Sequence, residues 1–354
     1  MIKILNFDIT NRCVMNCRGC YKGSGKETGF IGLEKMKQIM KEAKILGASA
    51  DGFSGGEPGL VPERLLDCLK LGSKYFKYQG VLTTGFNINS WLEEALKYNL
   101  TFVQISLDGN KKYHNWYRKN PKAFDYAIAA IKLCEGKVKL RVNYVLTNKN
   151  LNDLSFILDF AREHKVELRI SPIVPLGKES KELLCSPVDI SIALATIQKH
   201  GKNVSFSGET RLDKPFKIDV QFGLKKFSPE LPFNCQAGQS AVKDKCLGVY
   251  PVITETGDVK MCSYLSIIGG NINERSFTDI YLHPKNYDAF FKAKPLNKIC
   301  ANCLMRGICI QVCRAVAYMY DGVFDYPDEP PERCVLRKQG LLEKRKEELW
   351  LASQ

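Results

Sequence analysis

The sequence predicts an α/β fold: a partial (β/α)6 barrel, similar to a TIM barrel, followed by a small cysteine-rich α+β domain. Three observations predict it. Six short β-rich runs alternate with helical patterns over residues 1–175, the alternation then stops, and cysteines are concentrated in residues 235–334. Alternating strands and helices form parallel sheets, and right-handed crossovers roll such units into a full or partial barrel. In this architecture the chemistry lies at the C-terminal ends of the strands.

The predicted strands are short β-rich runs, and the helical stretches that follow them have polar faces. The strands, in chain order, are Lys3 to Asp8, Asp51 to Ser54, Gln79 to Thr83, Thr101 to Leu107, Val138 to Leu146 and Val166 to Pro172. The helices between them are Gly32 to Leu46, Val61 to Tyr75, Asn89 to Tyr98, Pro121 to Leu133 and Asn150 to His164.

Beyond residue 175 the sequence predicts three further regions. Residues 176–234 form a connector with one helix, Pro187 to Lys199, and a Gly-, Pro- and Lys-containing stretch. Residues 235–334 are dense in cysteine and poor in long periodic runs, which is typical of a small domain held together by metal rather than by a large core. The sequence of residues 335–354 predicts a solvated terminal helix.

The composition is that of an ordinary globular protein, with 354 residues, of which 45% are hydrophobic and 25% charged. No apolar run is long enough to span a membrane, and the N-terminus has no signal-peptide pattern, so we expect a cytoplasmic protein. In a reducing compartment, 14 cysteines indicate metal or redox chemistry rather than disulfides.

The formal net charge of +14 is the second unusual feature of the composition. The sequence contains no basic patch interleaved with aromatic residues, so it does not predict nucleic-acid binding. We therefore expect the positive charge to attract an anionic substrate or an acidic electron donor such as a ferredoxin or flavodoxin.

The first cysteine motif lies directly after the first strand. Cys13, Cys17 and Cys20 have the spacing C-x3-C-x2-C. Three thiolates can hold three irons of a 4Fe-4S cluster and leave the fourth iron open to a ligand. The alternatives are a zinc site completed by a distant residue, or part of a ferredoxin-like cluster.

A glycine-containing turn follows the second strand, with the sequence Gly55, Gly56, Glu57 and Pro58. The two glycines would allow the backbone to approach a ligand closely. The carboxylate of Glu57 could pair with a ligand ammonium group. This turn is weak evidence by itself, but it gains weight from the three-cysteine loop one βα unit earlier.

These two motifs, with Tyr21 directly after Cys20 and the turn reading GGEP, resemble the radical S-adenosylmethionine (radical SAM) superfamily. The resemblance implies that the amino and carboxylate groups of SAM bind the open iron. It also implies that the reduced cluster cleaves SAM to methionine and a 5′-deoxyadenosyl radical, which abstracts a hydrogen atom. Gly19 is a departure, because many members have an aromatic residue there that can stack on adenine.

The same resemblance implies further SAM contacts at the ends of later strands. Thr84 follows the third strand, Ser106 and Arg118 match positions that touch the ribose and carboxylate, and Asn143 lies on the fifth strand. Alternatively, Arg118 is an exposed helix residue. Asn143 could instead be a polar group that is satisfied inside the barrel. We expect His114 to be structural rather than catalytic.

The second cysteine motif resembles the SPASM extension found on one branch of radical SAM enzymes. Its members are Cys246, Cys262, Cys300, Cys303, Cys309, Cys313 and Cys334, with Cys235 as an eighth thiol. The resemblance implies two auxiliary 4Fe-4S clusters, and therefore three clusters in the chain. One would be bound by Cys235, Cys246, Cys262 and Cys313, and the other by Cys300, Cys303, Cys309 and Cys334. A pair of zinc sites is the alternative.

Three cysteines lie outside these motifs. We expect Cys68 and Cys134 to be small buried residues. Cys185 would be a surface or core thiol, with a hydrogen-atom donor as the less favoured alternative.

The resemblance implies an enzyme of oxidoreductase type that modifies a peptide or protein by crosslinking, epimerisation or oxidation. The chain begins at the first strand and has no room for an N-terminal leader-binding domain, and Ser263 replaces the Asp of sulfatase-activating members after Cys262. The main alternative is a tetrapyrrole or other small-molecule reaction, such as a haem-pathway oxidative decarboxylation. A non-catalytic iron-sulfur electron carrier is a third, which Gly55, Gly56 and Glu57 disfavour.

Overall fold

The computed structural model describes residues 1–26, 28–177, 179–200, 204–205, 218–220, 236–293, 298–301, 315, 318–319 and 322. The strands within these residues are β1 Ile4–Asp8, β2 Ala50–Ser54, β3 Tyr78–Thr83, β4 Leu100–Ser106, β5 Lys139–Leu146, β6 Glu167–Pro172, β7 Val204–Ser205, β8 Ile218–Val220, β9 Val252–Ile253, β10 Asp258–Lys260 and β11 Gly270–Asn271. The helices are α1 Leu33–Ile45, α2 Pro62–Gly72, α3 Leu92–Ala95, α4 Lys111–Arg118, α5 Ala123–Cys134, α6 Leu154–Glu163, α7 Pro187–His200, α8 Gln236–Asp244, α9 Phe277–Leu282, α10 Asp288–Phe291 and α11 Lys298–Ala301.

The predicted α/β class is confirmed. Strands β1 to β6 pair in parallel and in chain order, with helices between them, as a partial barrel requires. Each of the six strands starts and ends within one residue of its predicted bounds. Their C-terminal ends therefore meet at one rim of the sheet.

One predicted helix is broken in the structure, and one helix of the structure was not predicted. The helix predicted from Asn89 to Tyr98 is broken into a 3-10 turn, the short α3 and a second 3-10 turn. Helix α4 was missed, because its sequence KKYHNWYR is strongly polar. Asn110 caps α4, since its side chain accepts a hydrogen bond from the Tyr113 backbone N–H, and the helix buries one face that includes His114 and Arg118.

Both edges of the parallel sheet are extended by later parts of the chain. Strand β8 pairs in parallel with β6, and β7 pairs with β8. At the other edge β9 pairs in parallel with β1, and β10 and β11 continue antiparallel. The connector and the cysteine-rich region thus each contribute strands to the same sheet, and their division at residues 175 and 235 stays a prediction.

The main hydrophobic core joins the barrel to the cysteine-rich region. Phe7 and Phe53 stack with ring centroids 6.0 Å apart, and Val259 and Tyr287 belong to the same buried cluster. A second, smaller cluster lies beside α4 and consists of Tyr113, Tyr117, Ile173 and Leu183. Among the described residues, no helix is long and apolar enough to cross a membrane.

Candidate active site

The three predicted cluster cysteines lie in the loop after β1, at residues 13–20, which we call the cluster loop. Helix α4 holds this loop through its backbone. The N–H of Asn16 donates to the Arg118 carbonyl at 3.2 Å, and the N–H of Arg18 donates to the Tyr117 carbonyl at 3.0 Å. The unpredicted helix α4 is therefore part of what positions the cysteines.

The thiols of the cluster loop are half-buried and lie within one another's electrostatic field. Burial raises the pKa of Cys13 to about 12, and burial also raises the pKa of Cys17, against the opposing charge of Arg118. Burial acts the same way on Cys20, but backbone N–H groups of residues 22–24 outweigh it and lower the pKa of that thiol. Their hydrogen bonds favour the thiolate of Cys20, which is the form that binds metal.

The glycine turn after β2 packs directly on the chain that leads into the cluster loop. The N–H of Gly56 donates to the Thr10 carbonyl and that of Glu57 to the Arg12 carbonyl, both at 2.7 Å. A Cβ on Gly55 would lie 2.2 Å from the Thr10 oxygen, and one on Gly56 would lie 1.9 Å from the Arg12 oxygen. In this structure the two glycines are required by contact between the loops, whereas the sequence suggested an approach to a ligand.

Glu57 is fully buried, and both of its carboxylate oxygens are engaged. Oε1 accepts from the Gly59 N–H at 2.9 Å and from Thr83 Oγ1 at 2.6 Å. Oε2 accepts from the N–H and the hydroxyl of Thr84 at 2.7 and 2.6 Å. Since a carboxylate has about four acceptor positions, the predicted ligand ammonium would have to replace one of these bonds. Glu57 and Thr84 therefore link the turn after β2 to the end of β3.

Arg118 is buried, with 9% of its surface exposed, so the alternative of an exposed helix residue is wrong. Its Nε donates to Asp108 Oδ2 at 2.7 Å, and its Nη1 lies 3.7 Å from the Cys17 sulfur. Burial alone would raise the pKa of Asp108, but the positive charge and hydrogen bond of Arg118 outweigh burial and lower it to about 2. Asp108 is therefore an ionised, fully buried carboxylate.

His114 has the structural role that the sequence predicted. It is 1% exposed, and its Nδ1 accepts the Asp108 backbone N–H at 2.9 Å. Burial lowers the pKa of the imidazole. The ring is therefore neutral, with its proton on Nε2.

The remaining predicted SAM contacts lie on neighbouring strands. Ser106, at the end of β4, is the register partner of Asn143 on β5, so the two side chains share one face of the sheet. Both are half-buried. Pro58 is buried at the start of a 3-10 turn. The structure thus pairs Glu57 with Thr84 and Ser106 with Asn143, while the role of these residues in SAM binding stays a prediction.

Sequence reasoning missed a polar group at the ends of β1 and β2. Lys22 contacts the Asp8 carboxylate and lies 3.4 Å from the Ser54 hydroxyl, which itself donates to Asp8 at 2.8 Å. Asp8 and Ser54 are the last residues of their strands, and that position is the signal that could have found them.

The cluster loop also touches the cysteine-rich region through Tyr21. Its ring packs edge-on against Tyr264 with centroids 5.0 Å apart, and its side chain hydrogen bonds to Ser263. Both partners directly follow Cys262 in the chain. The first cysteine motif and one member of the second are therefore neighbours in space.

Only part of the second cysteine motif falls in the described residues. Cys246 is buried, and its sulfur accepts the Gly248 N–H at 3.4 Å, while Cys262 and Cys300 are half-buried. The other five, which lie outside the described residues, are Cys235, Cys303, Cys309, Cys313 and Cys334. Among the described residues, no three Cys, His, Asp or Glu side chains are grouped as ligands of one metal ion.

The cysteines outside both motifs are all described. Cys68 and Cys134 are fully buried, as predicted. Cys185 is half-buried and packs against the main core.

Comparison with known protein families gives two matches. The model of the radical SAM superfamily matches residues 7–161, and the model of the SPASM iron-sulfur cluster-binding domain matches residues 246–304. The first match contains the cluster loop and the glycine turn, and the second contains Cys246, Cys262, Cys300 and Cys303.

Three similar proteins cover most of the chain. An AdoMet-dependent heme synthase of Methanosarcina barkeri is 24% identical over 343 residues, which is 95% of this chain and 97% of that protein. The crystal structure of Streptococcus suis SuiB bound to precursor peptide SuiA has a TM-score of 0.69 at 18% identity, covering 93% of this chain and 75% of SuiB. Native anSMEcpe with bound AdoMet and Cp18Cys peptide has a TM-score of 0.67 at 18% identity, covering 99% and 98%. At these identities the two structures show a shared fold.

Proposed function

Because this chain is a radical SAM enzyme with a SPASM iron-sulfur cluster-binding domain, we propose that it reductively cleaves SAM at a 4Fe-4S cluster bound by Cys13, Cys17 and Cys20. The resemblance seen in the sequence is thereby confirmed at the level of the superfamily. Its radical SAM domain implies one 4Fe-4S cluster and SAM as cofactors.

The observation that carries the proposal is the packing of the glycine turn against Thr10 and Arg12, in the chain that leads into the cluster loop. Their backbones approach so closely that only glycine fits at residues 55 and 56. The loop with the three thiols after β1 therefore shares one rim of the sheet with the glycine turn after β2, Thr84 after β3 and Ser106 at the end of β4. This is the rim where the chemistry of parallel barrels takes place.

The cluster-loop residues fit such a group. In a cubane cluster each thiolate binds a different iron, so the three thiols need not surround a single metal ion and can be spread along a loop. The N–H groups around Cys20 also stabilise the thiolate of that residue. When bound and reduced, the cluster supplies the electron that cleaves SAM and yields the 5′-deoxyadenosyl radical. Ser106, Asn143 and Arg118 would orient SAM, and the buried Glu57 would keep the turn in place.

For the SPASM domain we propose the two auxiliary clusters that the sequence motif implies. The described part of the domain supports close coupling to the barrel, since β9 pairs with β1 and Tyr264 packs on Tyr21. An auxiliary cluster ligated through Cys262 would thus lie beside the cluster loop. Fully ligated clusters at this position would exchange electrons rather than bind substrate.

For the substrate we propose a peptide or protein that is modified after hydrogen abstraction. The fold supports this class, because SuiB and anSMEcpe share it and both were crystallised with peptides. The outcome would be a crosslink, an epimerised residue or an oxidised side chain.

A specific observation favours a second candidate, an anionic tetrapyrrole. The AdoMet-dependent heme synthase matches this chain over nearly the full length of both proteins. The net charge of +14 would also suit a substrate that carries several carboxylates. The reaction would then be an oxidative decarboxylation of propionate side chains.

Substrate-dependent SAM cleavage separates the two classes. The reconstituted enzyme is incubated with SAM and dithionite, and 5′-deoxyadenosine is measured with a coproporphyrin, with a cysteine-rich peptide pool, or with neither. A rise with peptides and none with porphyrin supports the first candidate. Stimulation by porphyrin together with loss of CO2 from it replaces the first candidate with the second.

A further inference from the structure

Asp108 and Arg118 form a buried pair that ends at a sulfur of the cluster loop. We infer that Asp108 is a positioning residue: it holds the Arg118 guanidinium against the Cys17 sulfur, and this contact raises the midpoint potential of the SAM-binding cluster. The inference rests on the proposed function, because it supposes that Cys17 binds iron.

The guanidinium joins the two groups through different nitrogen atoms. Nε donates to Asp108 Oδ2 at 2.7 Å, and Nη1 reaches Cys17 Sγ at 3.7 Å. The guanidinium is planar and rigid, so fixing Nε also fixes the direction of Nη1. The ring of Tyr117 lies on one side, with its centroid 5.4 Å from the guanidinium carbon.

Asp108 is itself held from several directions, independently of Arg118. Its Oδ1 accepts the Val145 N–H at 3.0 Å, and its carbonyl accepts from Asn150 Nδ2 at 2.8 Å. Its own N–H donates to the Nδ1 of His114. A fully buried carboxylate is costly unless it is paired in this way. The carboxylate therefore serves as a fixed anchor for the guanidinium.

The contact with sulfur favours the reduced cluster over the oxidised one. Reduction adds one negative charge, and an N–H donor that carries a positive charge stabilises the more negative state. Hydrogen bonds to the sulfurs are among the features that set the potential of iron-sulfur clusters. Arginine stays charged at any working pH. Loss of the contact should therefore make the midpoint potential more negative.

The sign of the change in midpoint potential distinguishes a positioning role of Asp108 from a direct effect of its charge on the cluster. Removing its negative charge would by itself raise the potential. In Asp108→Asn, one acceptor oxygen is replaced by an NH2 group, so the side chain cannot accept from both Val145 and Arg118. If Asp108 acts by positioning Arg118, the potential falls instead.

The experiment is a dithionite redox titration of the anaerobically reconstituted full chain, followed by EPR. The signal followed is the one that is absent from Cys13→Ala. Arg118→Met should lower the equilibrium constant for one-electron reduction about tenfold, which corresponds to about 59 mV. Asp108→Asn should shift it in the same direction. The matched control is Arg18→Met. Arg18 also lies in the cluster loop, between Cys17 and Cys20, but its side chain stacks on Trp116 and pairs with Glu179. We expect it to change the constant less than twofold.

A second measurement does not require the Arg118 and Asp108 variants to fold. The wild-type protein is labelled with 15N-arginine, and pulsed EPR of the reduced cluster is searched for coupling to a nitrogen nucleus. A coupling that persists in labelled Arg18→Met supports the inference. Absence of the coupling in a wild type that holds the cluster overturns it, as does an unchanged potential in Arg118→Met. A wild type without the cluster, or without SAM cleavage, is instead a failure of the proposed function.

Discussion

At residue 19 the chain has glycine where many radical SAM proteins have an aromatic residue, and the structure supplies a steric reason. A Cβ on Gly19 would lie 2.4 Å from the Tyr117 hydroxyl oxygen and 2.7 Å from Cδ1 of Ile173. Tyr117 is 3% exposed and stacks on Tyr113 with ring centroids 6.0 Å apart. Tyr117 thus fills space that a side chain at residue 19 would need.

We predict that Gly19→Ala lowers both the melting temperature and the iron content. Overpacking of this kind costs about 1–3 kcal/mol, and here it would push the cluster loop away from α4. Adding Tyr117→Phe removes the closest atom, so the double variant should recover part of both losses. The measurements are thermal unfolding and iron per chain after reconstitution.

The control is Gly25→Ala, because a Cβ there meets only one atom, at 4.0 Å. A Gly19→Ala protein that matches wild type in both measurements would show that Tyr117 moves freely and does not restrict the loop.

A second residue-scale feature is an unpaired carboxyl group outside the site. Asp51 on β2 is 2% exposed and is the register partner of Gln79 on β3. Neither carboxyl oxygen of Asp51 nor Oε1 of Gln79 has a hydrogen-bond partner among the described residues, and both side chains converge on Gly72. Burial raises the pKa of Asp51 well above its usual range. We expect Asp51 to be protonated and to donate to Gln79.

This predicts that Asp51→Asn raises the stability at high pH. A carboxyl whose pKa is raised in the fold contributes its full stability below its unfolded pKa, about 4, and loses it as the pH rises through the folded value. The amide keeps a donor at all pH values. The gain in the free energy of unfolding should therefore be larger near pH 8 than near pH 5, by up to about 1.4 kcal/mol for each pH unit between them.

The check is the melting temperature of wild type and variant at both pH values. Asp67→Asn on the exposed side of α2 is the control and should give no pH-dependent difference. Equal effects of Asp51→Asn at pH 5 and pH 8 would contradict a protonated Asp51.

At the scale of elements, the site depends on contacts between loops rather than on any single strand. The glycine turn after β2 bonds to the chain before the cluster loop, and Glu57 ties that turn to Thr83 and Thr84 at the end of β3. Helix α4 holds the cluster loop from the opposite side through Tyr117 and Arg118. Three elements thus fix one loop.

We predict that Gly56→Ala disrupts this arrangement more than any other glycine-to-alanine change near the site. Its Cβ would lie 1.9 Å from the Arg12 carbonyl oxygen, which is backbone and cannot rotate away. The variant should lose about four irons per chain, the content of one cubane cluster. It should also lose most of its 5′-deoxyadenosine formation.

Iron analysis and product quantification provide the test, again with Gly25→Ala as the control that keeps both. Full iron content in Gly56→Ala would mean that the two loops can separate without loss of the cluster.

The strands of the barrel were predictable, because buried parallel strands are short β-rich runs between amphipathic helices. Helix α4 was not, since its buried residues are His114, Arg118 and two tyrosines rather than aliphatic side chains. The cysteine and GGEP motifs predicted a candidate site at the ends of β1 and β2. The pairing of Arg118 with Asp108 and Cys17 depends on tertiary packing that spacing along the chain does not contain.

At the scale of the whole molecule, one sheet carries both cysteine regions. Strand β9 adds to β1 in parallel, and Tyr264 reaches the ring of Tyr21. The first motif and Cys262 therefore meet across the edge of the barrel, although they are more than 240 residues apart in sequence. The proposed auxiliary cluster would be placed to exchange electrons near the reacting centre.

Single-cysteine variants should separate the proposed roles of the two regions. Cys13→Ala should lose about four irons and all 5′-deoxyadenosine formation. Cys246→Ala should also lose about four irons, since it removes a ligand of a proposed auxiliary cluster, but SAM cleavage should persist. Cys68→Ala is the control and should keep its full iron content. Zinc in place of iron at the second region would overturn its assignment.

The central claim is the reductive cleavage of SAM at the cluster loop, and one measurement tests it most directly. The full chain is reconstituted anaerobically with iron and sulfide, incubated with SAM and dithionite, and analysed for 5′-deoxyadenosine and methionine, beside Cys13→Ala treated identically. We predict both products from the wild type and neither from the variant. A wild type that holds its iron and forms no 5′-deoxyadenosine, or a Cys13→Ala protein that forms as much as wild type, would contradict the claim.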